Sequence, residues 1–180
     1  MESYARGETD QPLLAETIGR NLARTVAAHP DREALVEVAS GRRWSWSELS
    51  RDVDAVARGL LALGLEVGDR VGMWAPNCAE WTIVQLATAR VGIVLVNVNP
   101  AYRTHELAYA VNQSGMRVIL AASAFKTSDY RAMVDEVRDD CPALERALYV
   151  DTGDWAELLE GGAGVAEDAV TDRAAGLSPY

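Results

Sequence analysis

The residues best suited to chemistry gather in three short segments: Ala75-Pro76-Asn77, the run from Asn99 to Thr104, and the run from Ser123 to Thr127. Each follows an apolar run and precedes a stretch of helix length. In an open parallel sheet, such segments lie together at the carboxyl ends of the strands, where ligands bind. Asn77, Asn99, Tyr102, Arg103 and Lys126 are thereby brought to one edge. Arg103 and Lys126 form a cation pair suited to phosphate or carboxylate, the guanidinium as a two-pronged donor and the ammonium as a point charge. A solvated loop edge is the competing reading. Lys126 is the sole lysine, so any step that needs a lysine amine uses it or lies outside this chain.

Neither histidine has the setting of a catalytic base. His105 precedes Glu106, and sequential side chains diverge on a helix, so the pair lacks an oriented carboxylate. His29 sits before Pro30, where it reads as a surface residue at a helix end. Cys78 and Cys141 are far apart and lack partners at metal-ligand spacing, so two reduced thiols are expected. No GxxxxGK[ST] loop occurs, nor a GxGxxG opening a helix after a strand. The glycines at 59, 64, 68 and 72 read as punctuation of a helix end and a turn, and "GGAG" at 161–164 as a linker. Five tryptophans read as core or half-buried aromatics.

The elements that must position these residues follow from periodicity. Leu14, Ile18, Leu22 and Val26 step by four, predicting a helix over 13–28 that ends at His29-Pro30. "ALVEV" and "RRWSW" flank Ser40-Gly41, a β-hairpin. Ser45 and Glu48 have the spacing of a capping box, opening a helix that carries Leu49, Val53, Val56, Leu60 and Leu63 towards Gly64. One plan then recurs three times: "DRVGMWA", "GIVLVNV" and "RVILAA" are each followed by a helix, over 79–90, 105–114 and 128–139, with Thr104 as the N-cap of the second. "RALYV" adds a fourth strand. Continuous apolar strands alternating with helices predict an α/β fold, a largely parallel sheet flanked by helices on both faces, preceded by an N-terminal helix and β-hairpin.

The expected organisation is a disordered or extended N-terminus over 1–12, an α/β unit over 13–151, and an acidic stretch over 152–180 holding one brief helix around Trp155, Leu158 and Leu159 and then loop. The chain has 180 residues, 49% of them hydrophobic, enough for one domain with its own core. Its net charge of −10 is concentrated late: residues 126–180 carry 13 acidic and five basic side chains, a surface that repels nucleic acid. No apolar run approaches the roughly 18 residues of a membrane span. The opening residues lack the basic and apolar regions of a secretory signal, so a cytoplasmic protein is expected.

The segment from Arg42 to Gly115 resembles the N-terminal region of the AMP-forming acyl-CoA synthetases. "PNCAEW", "NVNPAYRTHELAYAVNQSG" and "FKTSDY" are most similar to the fatty-acyl-CoA synthetase branch of the adenylate-forming superfamily. The similarity runs from Ile18 to Val150, roughly three quarters of the chain. The resemblance implies the N-terminal subdomain of that fold and a two-step ligase. A fatty acid or other carboxylate attacks the α-phosphate of ATP with Mg2+, releasing pyrophosphate; the thiol of coenzyme A (CoA) then displaces AMP.

In that family, a Ser/Thr/Gly-rich loop and a lysine of a C-terminal domain neutralise the phosphate charge, and neither motif is present in these 180 residues. The implied reading is an N-terminal fragment, inactive alone, with no catalytic residue and no metal ligand of its own. Lys126, and more weakly Arg103, are carried over as contacts to CoA or its phosphates. A face exposed by truncation would allow self-association. The alternative is a standalone α/β binding or protein-interaction module without catalysis.

Overall fold

The computed structural model describes residues 3–8, 10 and 14–179. Residues 3–8 and 10 form neither helix nor strand, and residues 14–17 precede the first helix, which therefore starts later than the expected 13; residues 1, 2, 9 and 11–13 lie outside the described residues. Helix α1 runs over Ile18–Ala28, capped by the Thr17 hydroxyl, which accepts from the Arg20 amide at 3.2 Å. Strands β1 (Glu33–Glu37) and β2 (Arg42–Ser45) pair antiparallel about a turn whose Gly41 takes φ +75°. Helix α2 (Trp46–Ala62) opens on the expected capping box: the Glu48 amide donates to the Ser45 hydroxyl at 3.2 Å and the Ser45 amide to the Glu48 carboxylate at 2.8 Å.

The parallel unit follows: β3 (Arg70–Trp74), α3 (Ala79–Val91), β4 (Val94–Asn97), α4 (Thr104–Ser114), β5 (Val118–Ala121), a small antiparallel hairpin of β6 (Ala124–Phe125) and β7 (Ser128–Asp129), α5 (Tyr130–Val137) and β8 (Arg146–Tyr149). The four-stranded sheet has the order β4-β3-β5-β8 and every pairing in it is parallel. Helices α6 (Gly153–Gly162) and α7 (Glu167–Ala175) complete the chain. Right-handed crossovers send the β3-to-β4 connection over one face and the two later connections over the other. Accordingly α3 packs with α1, α2 and α7, while α4 packs with α5. The expected α/β architecture is therefore present, with helices on both faces.

Burial follows position in the sheet. All residues of β5 and Val71 to Trp74 of β3 are buried, whereas the outer strand β4 leaves Val94 49% exposed. Two further bounds differ from expectation. The N-cap of α4 is Arg103, not Thr104; its amide donates to the Glu106 carboxylate at 3.1 Å, so the glutamate closes the turn that a hydroxyl was expected to close. The third helix starts at Tyr130 rather than 128, because Ser128 and Asp129 pair into the β6–β7 hairpin and Asp129 then caps α5 by accepting from the Ala132 amide.

Four glycine readings are also revised. Gly64 and Gly68 do occupy turns, at φ +75° and +85°. Gly59 lies inside α2, and Gly161 and Gly162 lie in the last turn of α6 rather than in a linker. A Cβ on Gly59 would meet the Leu158 carbonyl oxygen at 2.6 Å, and one on Gly162 would meet the Gly59 nitrogen at 2.6 Å. These glycines let two helix backbones touch. Gly72 lies in β3, where a Cβ would meet the Met116 sulfur at 2.4 Å. Downstream, α7 replaces the expected loop; its Val170 is buried and its Arg173 pairs with Glu66 at 2.9 Å.

Candidate functional site

The β3 connection leaves for one face of the sheet and the β5 connection for the other, so a crevice opens between their carboxyl ends, the usual ligand position in such sheets. Here it is a cleft of about 400 Å³ whose lining includes Ala75, Cys78, Ala122 and Ala124. One wall is charged. Arg42 of the hairpin bonds Glu37 through Nε at 3.0 Å and reaches Glu80 of α3 through Nη2 at 3.0 Å. Glu37 also accepts the Ala79 amide at 2.9 Å, so a strand carboxylate caps α3 where Cys78 supplies no cap of its own. Opposite, Asp151 accepts from both the Ser123 amide (2.8 Å) and hydroxyl (2.7 Å).

The three strand-end loops are tied together. Trp74 stacks on Tyr130 with ring centroids 3.7 Å apart and planes 6° from parallel, and its indole N–H donates to the Asn99 carbonyl at 3.0 Å. The Tyr130 hydroxyl donates to the Pro100 carbonyl. Arg103 Nη1 donates to the Ser128 hydroxyl at 2.7 Å, joining the β4–α4 loop to the β6–β7 hairpin. Lys126 occupies the tip of that hairpin in a left-handed conformation (φ 53°), exposed, with its ammonium 5.1 Å from the Phe125 ring centre.

The structure thus joins Arg103 and Lys126 to one hairpin. Asn99 spends its side chain on its own turn, accepting from the Ala101 amide at 2.9 Å. Tyr102 packs half-buried on the core, and Asn77 is exposed. His105 is exposed in the first turn of α4. Both cysteines are free thiols. Burial pushes the Cys78 thiol up to about 11, which removes it as a nucleophile near neutral pH. Trp44 and Trp74 are buried; Trp46, Trp81 and Trp155 pack half-buried on the core.

The hairpin escaped the sequence reading because its strands have two residues each and its Lys126-Thr127 turn lacks Gly, Asn or Asp. The Glu37–Arg42–Glu80 wall escaped it because its members lie up to 43 residues apart; the Cys78 N-cap, a residue type that caps poorly, was the one available signal.

The AMP-binding enzyme family model matches residues 22–176. The chain belongs to that family. It is 45% identical over 145 residues to the mitochondrial medium-chain acyl-CoA ligase of Mus musculus, covering 81% of this chain and 23% of the relative. Solved structures share the fold. A fatty acyl CoA synthetase of Mycobacterium tuberculosis superimposes with a TM-score of 0.74 at 24% identity, over 86% of this chain and 30% of the other. The N-terminal domain of FACL13 from the same organism gives 0.73 at 24% identity, over 81% and 36%. The chain therefore spans less than a quarter of the length of the curated relative and about a third of each structure. Among the described residues, no helix is long and apolar enough to cross a membrane.

Proposed function

We propose that this chain is the N-terminal α/β lobe of an ATP-dependent, AMP-forming fatty-acid–CoA ligase. The parent reaction converts a carboxylate, ATP and CoA to acyl-CoA, AMP and pyrophosphate. The observation that carries this reading is the match to the AMP-binding enzyme model across 22–176, joined to 45% identity with an acyl-CoA ligase.

The residues present fit only part of that chemistry. Among the described residues, no three His, Cys, Asp or Glu side chains form a metal-holding group, and the sequence contains no Ser/Thr/Gly-rich phosphate loop. ATP and Mg2+ are therefore assigned to no residue of this chain, and the chain alone is proposed to be inactive. CoA is different. Lys126, projecting from a hairpin tip, has the charge and the access to contact a CoA phosphate. Arg103, engaged with Ser128, serves that contact by fixing the hairpin.

The test is acyl-CoA formation from a medium-chain fatty acid by the longest polypeptide that carries these residues, compared with its Lys126→Ala variant. Thioester formation with KM for CoA raised roughly tenfold by the substitution is expected, the loss of one charge-assisted phosphate contact. No thioester with any fatty acid refutes the ligase reading; an unchanged KM refutes the role of Lys126. Self-association belongs to the same proposal, because β4 is an open sheet edge with Val94 49% and nearby Val67 55% exposed. A concentration-dependent sedimentation coefficient supports it, and a constant monomer value overturns it.

A further inference from the structure

Away from the strand-end rim, α1, α2, α3 and α7 enclose a trough dominated by positive charge. Arg51, Asp54 and Arg58 stand three and four residues apart on α2, hence on one face. Arg90 enters from the last turn of α3, and Val170 and Thr171 of α7 close a cavity of about 460 Å³. A second cavity of about 250 Å³ shares Arg90 and Thr171 and adds Arg20 of α1. Four guanidinium groups therefore line one continuous trough, although the whole chain carries a net charge of −10.

The central group is held in place. The stem of Arg90 lies across Gly19, whose Cβ, if present, would sit 3.4 Å from the Arg90 Cα and 3.5 Å from its Cγ. Its side chain is only 18% exposed, and its Nε stands 3.0 Å from Asp54 Oδ1. Asp54 is the carboxylate among these lining residues and offsets one of the positive charges. Guanidinium forks match the oxygens of a phosphate, and a concave trough whose only apolar side chains are Val170 and three alanines suits a small polar ligand better than a flat surface or an acyl chain.

We infer that this trough is a binding site for a soluble phosphorylated small molecule, gripped by Arg51, Arg58 and Arg90, with Arg20 on its second arm. It is separate from the proposed CoA contact at Lys126 and does not depend on the ligase reading.

The test is a titration of the 180-residue chain with inorganic pyrophosphate at low ionic strength, followed through backbone amide resonances, with circular dichroism to confirm that each variant is folded. Saturable shifts on α2 and α7 are expected, weakening as salt is added. Arg58→Gln should weaken binding roughly tenfold, Asp54→Asn should strengthen it severalfold by removing the competing charge, and Lys126→Ala should leave it unchanged. Opposite responses of two neighbouring variants on one helix are not produced by simple destabilisation. The inference is overturned by any of four results: no saturable shift; shifts centred on the β6–β7 hairpin and abolished by Lys126→Ala; equal responses of the two α2 variants; or binding to phosphatidylglycerol vesicles without binding to pyrophosphate.

Discussion

Glu37 serves three partners with one carboxylate: the Ala79 amide that opens α3, the Arg42 guanidinium, and the Ser40 hydroxyl. Ser40 first, and then the Ala79 amide, hold its carboxyl below the ordinary carboxylate range. Its contribution to stability is therefore complete above that range and disappears as pH falls through the lowered folded-state value. Glu37→Gln should cost about 1–2 kcal/mol at neutral pH and flatten the acid limb of the stability curve, measured by denaturant unfolding at a series of pH values. Cys78, on the same wall, should resist alkylation at neutral pH because burial raises its thiol to about 11. The native-state rate should climb about tenfold per pH unit through the mildly alkaline range. The Ser45–Glu48 box was legible in the sequence because its two halves lie three residues apart, within one turn of helix. The cap from Glu37 to Ala79 spans 42 residues and exists only once the hairpin is docked on the sheet. Arg103 and Lys126 were legible as rim cations, whereas the bond from Arg103 to Ser128 needed a hairpin that has no turn signature.

At the scale of elements, α2 and α6 meet backbone to backbone at Gly59 and Gly162. Gly59 and Gly162 each leave no room for a methyl group, and the nearest opposing atom in both cases is backbone, which cannot swing aside. Gly59→Ala should destabilise by about 1–3 kcal/mol or more, although alanine favours helices elsewhere; thermal unfolding reads the shift directly. Helix α2 was legible because Leu49, Val53, Val56 and Leu60 recur at three- and four-residue steps, and α3 and α4 because segments of helix length separate the apolar strands. Gly59 and the pair at 161–162 were misread because glycine marks both chain ends and close approaches, and spacing alone does not separate them. Helix α7 was missed because its sequence, EDAVTDRAA, carries one aliphatic side chain, Val170, larger than alanine; tertiary contact with α3 supplies what its pattern lacks. Tyr130 pins the rim to the body of the protein. Tyr130→Phe keeps the stack on Trp74 but strands the Pro100 carbonyl, at a cost of about 1 kcal/mol, with the change in unfolding midpoint as its measure.

For the whole molecule, the order β4-β3-β5-β8 determines where chemistry can occur. The reversal of connections between β3 and β5 opens the crevice, and the stacked Trp74–Tyr130 pair fixes the loops around it. That order is not a local property: strand identity was readable from apolar runs, while the passage of the β4-to-β5 connection over β3 depends on how the sheet closes. The rim supplies two cations, Arg103 and Lys126, and a charged wall, but not the phosphate-handling loop on which adenylate formation depends. Under the proposed function, the molecule is a scaffold for a reaction whose phosphate chemistry lies outside these residues. The most direct measurement is ATP–pyrophosphate exchange by the purified 180-residue chain with a medium-chain fatty acid and Mg2+. The account predicts no exchange above the protein-free rate, and sustained exchange dependent on the fatty acid would contradict it.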